Sequence, residues 1–95
     1  NQSITSPTGG FRLVMQGDGN LVEYQRTGAA VWAAGTDPTG SDVVMQGDGN
    51  LVVYSATNAP LWASNTSGHP GAFLTLADSG QLEIVEKTGE PLSTW

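Results

Sequence analysis

The stretch "MQGDGNLVEY" at residues 15–24 returns as "MQGDGNLVVY" at residues 45–54, with one difference, Glu23 against Val53. Alternate residues of each copy carry groups that can bind a ligand. In the first copy these are Gln16, Asp18, Asn20, Val22 and Tyr24; in the second they are Gln46, Asp48, Asn50, Val52 and Tyr54. Side-chain amides donate and accept, an ionised carboxylate only accepts, and a phenol does either. Valine adds a small apolar platform. Such a set suits a neutral polyhydroxylated ligand with adjacent hydroxyls and an apolar C–H face, which describes a hexose. The motif itself holds no cation for phosphate or sulfate.

A third, weaker copy is an internal control. "LADSGQLEIV" at 76–85 keeps the turn glycine and the inward apolar residues. The ligand-type positions become Ala77, Ser79, Gln81, Glu83 and Val85. Folding a copy therefore does not require the Gln-Asp-Asn-Val-Tyr face. Turn chemistry alone explains an Asp-Gly pair, but not Gln, Asn, Val and Tyr on one exposed strand face, twice.

The elements that must position these residues follow from period-two alternation. Leu13, Met15 and Leu21 point inward, as do Val43, Met45, Leu51 and Val53, and then Leu74, Leu76, Leu82 and Ile84. Asp18-Gly19 and Asp48-Gly49 predict hairpin turns, because glycine tolerates positive φ. A third strand follows in each copy, "AVWAA" at 30–34, "PLWAS" at 60–64 and "PLSTW" at 91–95. Gly19 and Gly49 stand 30 residues apart, as do Trp32 and Trp62, and Gly80 lies 31 beyond Gly49. Three copies use nearly the whole chain, so one domain over 1–95 is expected, with repeats at about 8–37, 38–68 and 69–95. The connecting stretches "GTDPTGS" and "NTSGHPG" are loop-like.

The predicted unit is a small antiparallel sheet. Three such sheets can pack their apolar faces on one axis, with tryptophans filling the centre. The third tryptophan falls at Trp95, two residues beyond the aligned Ser93. A two-residue offset keeps the face of a strand, so Trp95 is expected in the same core. Glu23 sits where Val53 and Ile84 are apolar. An open end of the prism is the cheaper place for it, since an unpaired buried carboxylate is costly.

Composition narrows the function classes. The chain has 95 residues, 13 glycines, 5 prolines and no cysteine, which suits an all-β domain of many tight turns rather than long helices. Its net charge is -6, with Arg12, Arg26 and Lys87 the only basic residues. No cation cluster is available for nucleic acid or anionic lipid. No apolar run approaches the ~20 residues of a membrane span. A glycosidase needs two carboxyls about one bond, and Asp18 and Asp48 belong to different copies. His69, the only histidine, reads as a loop residue beside Pro70. Asp18-Gly19-Asn20 is like the start of a calcium loop, but Val22 and Tyr24 follow and no bidentate glutamate comes at the required place. Neither a metal nor any other cofactor is expected. The sequons at Asn65-Thr66-Ser67 and Asn1-Gln2-Ser3 read as incidental.

"QGDGNLVEY" and "QGDGNLVVY" both satisfy the Q-x-D-x-N-x-V-x-Y pattern, and with the threefold repeat the chain resembles the bulb-type lectins, typified by the mannose-binding lectins of monocots, over essentially its full length. The resemblance implies the β-prism II fold, three antiparallel sheets with pseudo-threefold symmetry, and binding of α-D-mannose without enzymatic activity. It implies that Asp18 and Asn20 bond the axial 2-hydroxyl, Gln16 the 3-hydroxyl and Tyr24 the 4-hydroxyl, with Val22 against the C3–C4 face. Asp48, Asn50, Gln46, Tyr54 and Val52 would repeat this. No site is carried onto 77–85. The resemblance also implies a secreted protein with mannosylated glycans as partners. Plant members commonly hold a disulfide that this chain lacks, which leans toward a bacterial source. Many members exchange the C-terminal strand in a homodimer; "EPLSTW" is placed to do so, or to close against "QSITSP" of its own chain. Two alternatives stay open: a protein-interaction module that kept the fold, and a lectin-like bacteriocin domain for another sugar such as rhamnose.

Overall fold

The computed structural model describes residues 3–37 and 39–95. Asn1 of one sequon and Pro38 of the first connecting stretch lie outside the described residues. Ten strands form: β1 (Ser3–Thr5), β2 (Phe11–Met15), β3 (Leu21–Gln25), β4 (Ala30–Ala33), β5 (Asp42–Met45), β6 (Leu51–Tyr54), β7 (Pro60–Ala63), β8 (Phe73–Leu76), β9 (Leu82–Val85) and β10 (Pro91–Thr94). They make three antiparallel sheets, ordered β1-β2-β3-β4, β5-β6-β7 and β10-β9-β8.

Each sheet buries the alternating apolar face that its sequence predicts. Leu21, Leu51 and Leu82 are at most 2% exposed, and Val53 and Ile84 are fully buried. Val43, Met45 and Leu74 are half-buried, because they line an open apolar cleft with Ile4 and Leu13. The third strand of every copy carries an irregularity. Val53 pairs with Trp62 and Tyr54 with Pro60, so Leu61 is the extra residue; Val31 and Leu92 hold the same place in β4 and β10. A bulge of this kind re-aims the side chains on either side of it.

The tryptophans meet as expected. Trp32 and Trp62 lie 5.5 Å apart between ring centroids, and Trp95 is 5.7 and 5.6 Å from them. Ser93 takes the register position of Trp32 and Trp62, opposite Ile84. Trp95 reaches the cluster from one pleat further on, bonded to the Leu82 backbone in both directions at 2.8 Å. All three rings are half-buried rather than enclosed.

Two expectations are corrected. Glu23 does not lie at an open end: it is 2% exposed, between Leu13 and Trp32 of the flanking strands. Its Oε2 has no hydrogen-bond partner among the described residues. The physical reason is register. Val22 and Tyr24 occupy the outer face, so residue 23 must point inward, and one carboxylate cannot turn a strand over. The termini also differ from one expectation. Strand β1 pairs with β2, and β10 pairs with β9, so "PLST" does not close against the N-terminal segment.

Candidate functional site

Two faces repeat the same local construction. In the first, Gln16 N donates to Asn20 O at 2.9 Å and Gly19 N to Gln16 O at 3.0 Å, which closes the turn between β2 and β3. Gly19 has φ 92° and Gly49 φ 93°, where a side chain is strained. The Asp18 carboxylate accepts from Asn20 N at 2.9 Å, and that of Asp48 from Asn50 N at 3.0 Å. In the third copy Ser79 Oγ takes this role more loosely, at 3.4 Å from Gln81 N. Part of the aspartate is therefore turn chemistry, and serine can replace that part.

The asparagines hold the segment that leaves each sheet. Asn20 Oδ1 accepts from Gly35 N at 3.1 Å and Thr36 N at 3.2 Å. Asn50 Oδ1 accepts from Thr66 N at 3.2 Å and from Ser64 Oγ at 3.1 Å. Buried Thr36 then donates to Gly19 O at 2.7 Å, and Thr66 to Gly49 O. These threonines position the site, and the sequence reading missed them. Their signal was available, since they too stand 30 residues apart.

Gln16 Nε2 donates to Tyr24 Oη, and Gln46 Nε2 to Tyr54 Oη. These internal bonds settle what each face has left to offer. Asp keeps its second oxygen as an acceptor, Asn its amide as a donor, Gln its Oε1 as an acceptor and Tyr its hydroxyl hydrogen as a donor. Two acceptors and two donors on one face can each meet a hydroxyl of a polyol.

The valines are not exposed, as the sequence reading had them. Val22 and Val52 are 4% and 3% exposed, because each lies on a central strand flanked by neighbours of the same face: Val14 and Ala33, and Val44 and Ala63. The apolar surface beside the second site belongs to Val44, which is 41% exposed. Val14 and Val44, two residues before each glutamine, share the outward face with the valines that they cover. On the third sheet Glu83 stands between Thr75 and Thr94, with neither amide pair nor phenol.

Asp18 and Asp48 lie on different sheets, so each face has one motif carboxylate. Among the described residues no three His, Cys, Asp or Glu side chains converge. His69 is in a loop, as read. Its main-chain N donates to Asp48 O at 2.9 Å, and its ring Nδ1 lies 2.9 Å from Glu86 Oε1.

Solved structures share this architecture. The monomeric monocot mannose-binding lectins of Gastrodia elata align at 33% identity and TM-score 0.83, over 99% of this chain and 90% of theirs. A lectin of Allium sativum aligns at 33% identity and TM-score 0.79, over 97% and 86%. The mannose-specific agglutinin of snowdrop, Galanthus nivalis, aligns at 32% identity and TM-score 0.62, over 99% and 83%. No protein-family model and no curated protein matches the chain. Three antiparallel sheets about a shared apolar core define the β-prism II class. Within it, the chain belongs to the bulb-type mannose-binding lectins, carbohydrate-binding proteins rather than enzymes.

Proposed function

We propose that this chain is a lectin that recognises α-D-mannose and mannosylated glycans through two sites, Gln16, Asp18, Asn20, Val22 and Tyr24 on one sheet, and Gln46, Asp48, Asn50, Val52 and Tyr54 on another, without a metal ion. One observation carries the reading. Both faces retain the same unused set, two acceptors and two donors, after every internal bond is counted. An axial 2-hydroxyl shared by the Asp acceptor and the Asn donor distinguishes mannose from glucose, because the equatorial epimer leaves both unmatched. The likeness to the snowdrop agglutinin, whose structure holds methyl-α-D-mannoside, supports the choice of sugar. Valine closes the floor of the site, and its neighbours supply apolar contact.

Each site makes a handful of hydrogen bonds of about 0.5–1.5 kcal/mol net, set against lost ligand freedom. Affinity for one mannose is then roughly millimolar. Calorimetry with methyl α-D-mannoside and methyl α-D-glucoside tests this on wild type, Asp18→Ala, Asp48→Ala and the double variant. The expected result is two mannoside sites, then one, one and none, with weaker glucoside binding and no effect of a chelator. Undiminished binding by the double variant sinks the assignment.

A further inference from the structure

We propose that the first site, unlike the second, selects glycans bearing an anionic group, a carboxylate or a sulfate, beside the bound mannose, and that Arg12 reads that group. The inference rests on the mannose-binding reading above.

The alternation of β2 puts Arg12 on the same face as Val14 and Gln16. Arg12 is the cross-strand partner of Tyr24, with Thr5 of β1 on its other side. These three residues line a groove of about 350 Å³ together with Phe11, Gln25 and Arg26. Two of the chain's three basic residues face this groove, and no acidic residue lines it. Arg26 Nη2 donates to Thr8 O at 2.7 Å. Asp78 holds the same segment, accepting from Thr8 N and Oγ1 at 2.8 Å. Arg12 is exposed and makes no hydrogen bond or ion pair with any described residue. An unengaged guanidinium is thus the neighbour of the site's tyrosine, in a chain of net charge -6.

The second site inverts this. Asp42 stands opposite Tyr54 where Arg12 stands opposite Tyr24, and Ala56 replaces Arg26. The motif is the same and the charge at its tyrosine end is opposite. In the mannose-binding reading Tyr24 meets the 4-hydroxyl. The C5–C6 arm adjoins C4, so a substituent at C6 stands at the tyrosine end of the ring. The planar fork of a guanidinium matches a carboxylate or a sulfate with two parallel bonds. At Tyr54 the same substituent meets a like charge.

The test uses full chains with one site each: Asp48→Ala keeps the first and Asp18→Ala the second. Three ligands differ only at C6: methyl α-D-mannoside, its 6-sulfate, and the methyl mannosiduronate with a C6 carboxylate. The first site is expected to bind at least one anionic ligand about three- to fivefold tighter than the neutral one at low salt. That ratio should fall toward one at about 0.5 M salt, and also when Arg12→Gln is added. Arg12→Lys, which keeps charge and loses the fork, should retain part of it. The second site should prefer the neutral ligand. A gain with sulfate alone assigns sulfated glycans, and a gain with carboxylate alone assigns uronates. If the neutral mannoside binds but neither anionic ligand binds tighter, or the gain survives Arg12→Gln, the inference is overturned. If the neutral mannoside binds at neither site, the mannose reading fails and this inference falls with it.

Discussion

Glu23 is a carboxylate in a position that Val53 and Ile84 fill with hydrocarbon. Burial holds its pKa above the ordinary carboxylate value. At acid pH the group is protonated in both folded and unfolded chains and its ionic cost is absent. As pH rises past the ordinary value the unfolded chain ionises first, and stability falls until the folded pKa is passed. Glu23→Val should therefore stabilise the protein by about 1–3 kcal/mol at pH 7, and its advantage over wild type should shrink toward pH 4. Thermal melts at both pH values check this; a gap that does not change with pH would count against it. A second contrast separates holding the fold from holding the sugar. Asn20→Ala removes the acceptor for Gly35 N and Thr36 N, so it should lower stability by about 1–3 kcal/mol as well as binding at the first site. Gln16→Ala removes a side chain bonded only to Tyr24, so binding should fall with little change in the melt.

At the scale of elements, the hairpin turns and the segments that follow them form one device. A Cβ on Gly49 would lie 2.3 Å from His69 O and 3.0 Å from Thr66 O, at a φ of 93°. Gly49→Ala should cost roughly 2–4 kcal/mol and lower mannoside stoichiometry from two to one, whereas Gly47→Ala, with nothing nearby, should do neither. Circular-dichroism melts and calorimetry on the two variants decide it. Most of this device was legible. The Asp-Gly turns, the alternation and the third strands follow from residue type and spacing. The anchoring of Asn20 and Asn50 was not, because its partners lie 14 to 16 residues away along the chain. That anchoring also qualifies the third copy as a control. The side chain of Gln81, the third-copy counterpart, makes no such bond with any described residue, so the change from asparagine there removes an anchor as well as a ligand group.

For the whole molecule, the three half-buried tryptophans meet one another beside the apolar core that the sheets share. Each ring belongs to a different sheet, so Trp95→Ala should destabilise the entire fold by about 3 kcal/mol in one cooperative transition. Two separate transitions in a chemical melt would show that the sheets unfold independently. Two sites on one body predict avidity. The molecule extends 35 Å along its longest axis, so a bivalent mannoside with a spacer of about 30 Å should bind wild type at least about tenfold tighter than either single-site variant. Strand exchange through β10 would add a further layer, because a second copy can re-form the bonds that Trp95 makes to Leu82.

The sequence by itself determined the three strands of each copy, their inward faces, the threefold repeat and the ten residues of the two candidate faces; β1 was not among them. Those features depend on alternation and on turn chemistry, which act over a few residues. Tertiary structure alone decided the rest. It buried Glu23, because strand register outweighs the preference of one side chain. It made Val22 and Val52 a floor, because flanking strands cover them. It turned Asn20 and Asn50 into anchors whose free amides face outward. And it set Arg12 beside Tyr24 and Asp42 beside Tyr54, a difference that takes meaning only when neighbouring strands bring the residues together.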